Sequence, residues 1–253
     1  MLISCTSSIV TIEEVQEINI AHQNWSALVS RESYGTGDDT SGEVGLFQLV
    51  KATMRMRPDI LVVGEVRGEE AYVLFQAIST GHGGLCTLHA DDVTSAIQRL
   101  TSKPMDVPPS FIPFLDLVFT VRRIAVPTQG GGFKTMRRVL SVDEVVSVGS
   151  YVRMFKWDPA TDKQLASPIK TSVKIARLAR DTGQTVPDLM EEIERRSLVL
   201  RWAQQREIRN FRELSLVFEE YRSHSKEIFE RAREDLGKAG VVMQAEMREG
   251  FKL

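Results

Sequence analysis

Residues 57–67, RPDILVVGEVR, and residues 80–92, TGHGGLCTLHADD, decide how this chain is read. Pro58 stops whatever precedes it, and Ile60 to Val63 form an unbroken apolar run. Such a run is expected of a strand in a parallel sheet covered on both faces. It ends on Gly64 and a lone carboxylate, Glu65. Glu69 to Ser79 then reads as a helix, with Gly81 suited to a left-handed cap. Leu85 to Leu88 reads as a second strand, and Asp91 as the cap of a helix from Asp92 to Leu100. Strands alternating with helices at this spacing predict a doubly wound α/β sheet.

The same logic extends in both directions. Upstream, Ile9 to Ile12 reads as a short buried strand leading into Glu13 and Glu14. Arg31 to Gly42 reads as an exposed loop. Thr40-Ser-Gly-Glu43 is a capping-box pattern, predicted to open a helix with the stripe Leu46, Leu49, Val50, Thr53 and Met54. After Pro104 the pattern changes. Val118 to Val126 and Arg137 to Val148 are predicted to pair antiparallel through Gln129 to Gly132. Tyr151 to Trp157 adds a strand that ends in the turn Asp158 to Asp162. From about Thr171 the chain reads as charged and helical. Thr185 to Asp188 starts one helix with the stripe Leu189, Ile193, Ser197 and Leu200. Asn210 to Glu213 starts another with Phe211, Leu214, Val217, Phe218 and Tyr221.

The 253 residues suffice for a full core, and a formal charge of −2 gives no global field toward nucleic acid or an anionic membrane. Cys5 and Cys86 form no redox or metal pattern and fit a reducing, cytoplasmic setting. The apolar run near 111–121 is broken by Asp116 and is too short to span a bilayer, which takes about 20 residues. The N-terminal residues lack the basic flank and apolar run of a signal peptide.

Glu65 sits where open α/β sheets bind ligands, at the carboxyl end of a buried strand. There a carboxylate holds Mg²⁺ through water or polarises an attacking water, or else merely caps the next turn. Arg67 is a phosphate contact or an ion-pair partner for Glu69 or Glu70. The adjacent Glu13 and Glu14 can position water and share a metal beside a polyphosphate, or form a solvated acidic turn. His82 and His89 bracket the predicted strand Leu85 to Leu88. They read as a helix-cap and a core histidine, or with Cys86 as zinc ligands, although an extended strand points Cys86 and His89 to opposite faces. Gly130-Gly-Gly-Phe-Lys134-Thr135 lacks the glycines of a phosphate-binding loop and reads as a hairpin tip. Arg195-Arg196 and Arg231 to Arg233 are interleaved with glutamates, as on a solvated face.

In order and spacing, these motifs resemble the ring-forming ATPases of type II secretion, type IV pili and type IV secretion, above all the branch driving archaeal pili and the archaellum. The resemblance runs through Thr11-Ile-Glu-Glu14 (the Asp box, here with glutamate in fourth place), Thr40-Ser-Gly-Glu-Val-Gly45 and the Walker B segment ending at Glu65. It continues through the His box from Thr80 to Asp91, Phe155-Lys-Trp-Asp-Pro159 and the Arg201-Trp202 helix. It implies a RecA-like P-loop NTPase sheet, with an antiparallel β addition and a helical C-terminal region. Residues 1–104 would be the ATPase core, 105–168 its continuation, and 169–253 the helical region.

The resemblance also implies ATP and Mg²⁺ as cofactors. Glu13, Glu14 and Glu65 would be catalytic, with Glu65 holding Mg²⁺ through water. Arg67, His82 and His89 would be nucleotide-binding, His89 as a sensor of the terminal phosphate and His82 as a support of the turn. A homo-oligomer, expected to be hexameric, would work at the cytoplasmic face on a membrane platform protein, with no nucleic acid as partner. Family members carry an N-terminal domain and a P-loop strand before the Asp box, and Met1 falls just after where that loop would be. The sheet is therefore expected to be incomplete at its N-terminus, with a P-loop segment supplied in cis or in trans. By itself the chain is expected to hydrolyse ATP poorly. The competing expectation is a non-hydrolysing ring subunit or scaffold.

Overall fold

The computed structural model describes residues 3–31, 42–127 and 131–238. The first part comprises β1 (Ile9–Glu13), β2 (Trp25–Val29), α1 (Leu46–Met56), β3 (Ile60–Val63), α2 (Glu70–Ser79), β4 (Gly83–Cys86) and α3 (Val93–Thr101). Its four strands are all parallel, in the order β2-β1-β3-β4. β1 is buried along its whole length, Thr11 and Glu13 included, whereas β2 lies at the sheet edge and is partly exposed. Val10, Ile12, Leu61 and Val63 pack in one cluster with Val50, Leu74 and Phe75 from α1 and α2. Ile12, Val50, Val63 and Leu74 are completely buried. Each side chain of this kind contributes roughly 1.5–3 kcal/mol relative to exposure.

Three boundaries differ from the sequence expectation. α1 starts at Leu46, where the Gly45 amide donates to Gln48 Oε1 at 3.1 Å. The expected Thr40 box does not open it, and Thr40 and Ser41 lie outside the described residues. β4 runs from Gly83 to Cys86, two residues earlier than Leu85 to Leu88. Its glycines are there because the surroundings leave no room for a side chain. A Cβ on Gly84 would overlap Ile78 of α2, and one on Gly83 would lie 3.2 Å from the Asp59 carbonyl oxygen. α3 is capped by Asp92, whose carboxylate accepts from the Ser95 amide at 2.8 Å; Asp91 instead pairs with Arg122.

The second sheet contains β5 (Leu117–Pro127), β6 (Phe133–Ser147), β7 (Ser150–Asp158) and β8 (Lys163–Ala166), antiparallel and in that order. The first three were expected; β8 has no apolar alternation to announce it. The stretch that imitates a phosphate loop runs into β6, whose first residues Phe133, Lys134 and Thr135 pair with Pro127, Val126 and Ala125 of β5, while Thr128 to Gly130 lie outside the described residues.

Four helices follow: α4 (Val173–Thr182), α5 (Val186–Gln205), α6 (Phe211–Ser223) and α7 (Ser225–Lys238). Thr185 starts α5 as expected, and with Asp188 it forms a capping box. The predicted stripe of α5 is wrong beyond Leu189, for Ile193 and Leu200 are exposed while Leu198, Val199, Trp202 and Ala203 are buried. The reason is that α7 packs against the second half of this helix and rotates the buried face. Trp202 donates to Asp235 of α7 at 3.0 Å, with the Arg206 and Arg231 guanidiniums 4.9 and 5.1 Å from its ring centre.

Two buried carboxylates stand side by side on β6, one tying the sheet to α4 and the other bonded within the sheet. Glu144 of β6 accepts from the Ser172 hydroxyl and from the Val173 and Lys174 amides, at 2.8 and 3.2 Å, so the sheet itself caps α4. Asp143 beside it accepts from the Ser141 hydroxyl at 2.6 Å and from Arg153 at 2.8 Å. The α/β class, the antiparallel addition and the helical C-terminal region are thus as expected. Among the described residues, no helix is long and apolar enough to cross a membrane.

Candidate functional site

The strand order changes direction at β1, with β2 on one side and β3 and β4 on the other. In an open parallel sheet the crevice at the carboxyl ends of the strands flanking such a point is where ligands bind. Ile12 is level with Val63, and Val63 with Cys86, so the next residues of all three strands emerge on one rim. Glu13 and Glu14 arrive from β1, Glu65 and Arg67 from β3, and His89 from beyond β4.

These groups are held very differently. Glu13 is buried, and its carboxylate accepts the amides of Glu17 and Ile18 at 3.1 and 3.0 Å, pinning the turn that leaves β1. Gly64 permits this, since a Cβ there would lie 3.0 Å from Glu13 Cγ. Glu14 is exposed and forms an ion pair with Arg67. For Arg67 the alternatives were a phosphate contact or an ion pair with Glu69 or Glu70, and the ion pair with those two acids does not form. Instead, buried Glu70 accepts the backbone amides of Arg67 and Gly68, at 2.6 and 2.7 Å, leaving the guanidinium to Glu14. Glu65 Oε1 lies 3.3 Å from His89 Nε2, and the two side chains are 41% and 83% exposed, so a ligand can reach both.

His82 does not join this rim. Its Nδ1 lies 3.1 Å from the Ala77 carbonyl oxygen and 3.3 Å from the Thr80 hydroxyl, at the end of α2. Thr87, which the sequence reading passed over, donates its hydroxyl to the Gly64 carbonyl at 2.5 Å and accepts the Val66 amide at 2.9 Å. It thereby fixes the loop that carries Glu65. Its place between a strand and a site histidine was the available signal. Burial pushes the Cys86 thiol up to about 11, the wrong direction for a thiolate metal ligand. Among the described residues no three His, Cys, Asp or Glu side chains gather as a metal cluster.

Residues 1–112 match the model of the family described as type II/IV secretion system protein. An uncharacterised protein of Methanocaldococcus jannaschii is 36% identical over 199 residues, 76% of this chain and 70% of its own length. The chain belongs to the type II/IV secretion system protein family. Within it, a probable conjugal transfer protein of Sinorhizobium fredii is 43% identical over 93 residues, 36% of this chain and 26% of that protein. The crystal structure of the VirB11 ATPase of the Brucella suis type IV secretion system, in complex with sulphate, is similar over 54% of this chain and 41% of its own. The identity there is 22% and the TM-score 0.38. The chain thus spans 70% of the first relative's length but only about a quarter of the second's.

Proposed function

We propose that this chain is the catalytic part of a ring-forming ATPase that powers protein secretion or the assembly of a type IV pilus- or archaellum-like filament. The observation that carries this reading is the convergence of Glu14, Glu65, Arg67 and His89 on the carboxyl rim of a parallel sheet, in a member of the type II/IV secretion system family. Glu65 polarises the attacking water, and His89, 3.3 Å away, reports the terminal phosphate. Arg67 exchanges Glu14 for a phosphate oxygen, and His82 holds the turn after α2. Glu13 shapes the rim through the turn it pins, and Glu14 is the acid left to orient water.

Carboxylate oxygens are the hard donors that Mg²⁺ selects. Glu13 is already engaged by two amides, so Glu65 is the group suited to hold the ion through water. When bound, Mg²⁺ would neutralise charge on the transferred phosphoryl group.

Residues 1–104 form the ATPase core in this reading, 105–168 its continuation and 169–253 a helical region. A hexameric ring of such chains works at the cytoplasmic face on a membrane platform protein, without nucleic acid. These 253 residues contain no G-x-x-x-x-G-K-[ST] stretch, so a P-loop segment joins in cis or in trans.

ATP turnover by the chain alone and mixed with the P-loop-bearing segment of a longer relative tests the reading. Turnover is expected only in the mixture and is expected to vanish with Glu65→Gln. Turnover indifferent to Glu65→Gln would remove the catalytic assignment. Ring assembly with no turnover in any mixture would favour a scaffold subunit.

A further inference from the structure

A cleft of about 290 Å³ lies beside the rim, between α3 and the loop that follows β3. α3 buries Val93, Ala96, Ile97 and Leu100 and so presents Ser95, Gln98, Arg99 and Ser102 on another side, at the same helical spacing. These four line the cleft, and Arg67 and Lys103 join them from the two ends of the chain segment. Three cations thus face one small space with three neutral hydrogen-bonding side chains, and among the described residues no carboxylate belongs to the lining.

Cations near the end of a helix also complement its negative pole, which explains Arg99 and Lys103 individually. It does not explain why Arg67 arrives from another element, nor why every polar neighbour in the lining is neutral. Arg99 donates one guanidinium nitrogen to the His89 carbonyl oxygen, which holds the side chain along the wall. Arg67 is engaged by Glu14, a single exposed partner that an incoming anion can displace.

We propose that this cleft binds a small phosphate-bearing anion through Arg99 and Lys103, beside the nucleotide proposed at Glu65, with Arg67 standing between the two. Its volume is at the lower end for small-ligand sites and suits a diphosphate group better than a whole cofactor. Two arginines present planar forks and one lysine a point charge, the combination that recognises phosphate oxygens. Because Arg67 and Arg99 each touch the rim, through Glu14 and the His89 carbonyl, occupancy also reorganises the contacts of the proposed hydrolytic groups. The site stands on its own lining and does not need ATP hydrolysis at Glu65.

The test is calorimetric titration of the whole chain with inorganic pyrophosphate at low salt, comparing wild type with Gln98→Glu, Lys103→Ala, His89→Ala and Arg209→Ala. Saturable binding is expected, weakened about tenfold by either Gln98→Glu or Lys103→Ala. Arg209→Ala, at an exposed position outside the lining, is expected to be neutral, and so is His89→Ala. Unchanged circular dichroism in the two cleft variants separates lost binding from lost folding. Two results would overturn the proposal: neither saturable pyrophosphate binding nor vesicle cosedimentation by wild type, or pyrophosphate binding that His89→Ala removes and Gln98→Glu leaves alone, since the anion would then occupy the nucleotide site. Cosedimentation with phosphatidylglycerol vesicles, abolished by Gln98→Glu while pyrophosphate fails to bind, would assign the same phosphate chemistry to a lipid headgroup. Binding of pyrophosphate without cosedimentation assigns it to a soluble phosphate.

Discussion

Acidic side chains gather in two regions of this molecule, the rim beyond β1 and β3 and the junction of β6 with the helices. At the junction Glu144 accepts three hydrogen bonds, and Asp143 accepts from a hydroxyl and a guanidinium, both carboxylates being almost fully buried. At the rim Glu14 and Glu65 each meet one basic partner and keep lone pairs open to solvent. The same functional group is saturated in one place and left partly unsatisfied in the other. Burying a carboxylate is tolerable only when its hydrogen bonds are complete, so the junction is constrained by stability. The rim carries no such constraint and has capacity left for a ligand. Glu13 belongs with the first kind although it stands beside the second, because two amides hold its buried carboxylate.

Substitutions should separate the two regions by their effect on stability. The largest loss is expected in the helical part, where Trp202→Ala removes a buried indole, its bond to Asp235 and two stacked guanidiniums. Urea unfolding should register a loss of about 3–5 kcal/mol. Glu144→Ala should follow at about 3 kcal/mol, because the Ser172 hydroxyl and two α4 amides lose their acceptor inside the protein. A loss as small as that of a surface substitution would erase the contrast between the regions.

A pH titration offers a gentler probe. Burial, and then the charge of Glu192, push the Tyr221 phenol up to about 12. The unfolded chain therefore releases this proton at lower pH than the folded one. The contribution is complete below pH 10 and is lost as pH rises from about 10 to about 12. The alkaline decline in melting temperature across that window should be shallower in Tyr221→Phe than in wild type.

The smallest changes are expected at the rim. Arg67→Ala should cost less than about 1 kcal/mol, since its ion pair with Glu14 is exposed. Glu65→Gln should fall within about 0.5 kcal/mol of wild type. Differential scanning calorimetry of either variant that revealed a loss comparable to Glu144→Ala would make the rim a structural device too.

Much of this could be read from the chain beforehand, and the failures share a cause. The apolar runs of β1 and β3 and the acids after them are local signals, because a strand buried on both faces needs apolar residues throughout. β4 was displaced by two residues because its glycines answer to Ile78 and Asp59, which belong to other elements. The buried face of α5 answers to α7, which no spacing within α5 records. β2 and β8 went unread because they lie at sheet edges, where main-chain pairing suffices and the side chains carry little pattern. The rim residues were legible one by one. Their division into engaged and available carboxylates was not, since it depends on amides and guanidiniums brought up by the fold.

The bare contact between Gly84 and Ile78 has a mechanical consequence. With no side chain between them, α2 rests on the backbone of β4, and helix and strand make one stiff piece with His82 at the end of one and His89 just past the other. The outer side of α2 exposes Tyr72. Gly84 ties the seat of α2 to the strand that leads into the rim.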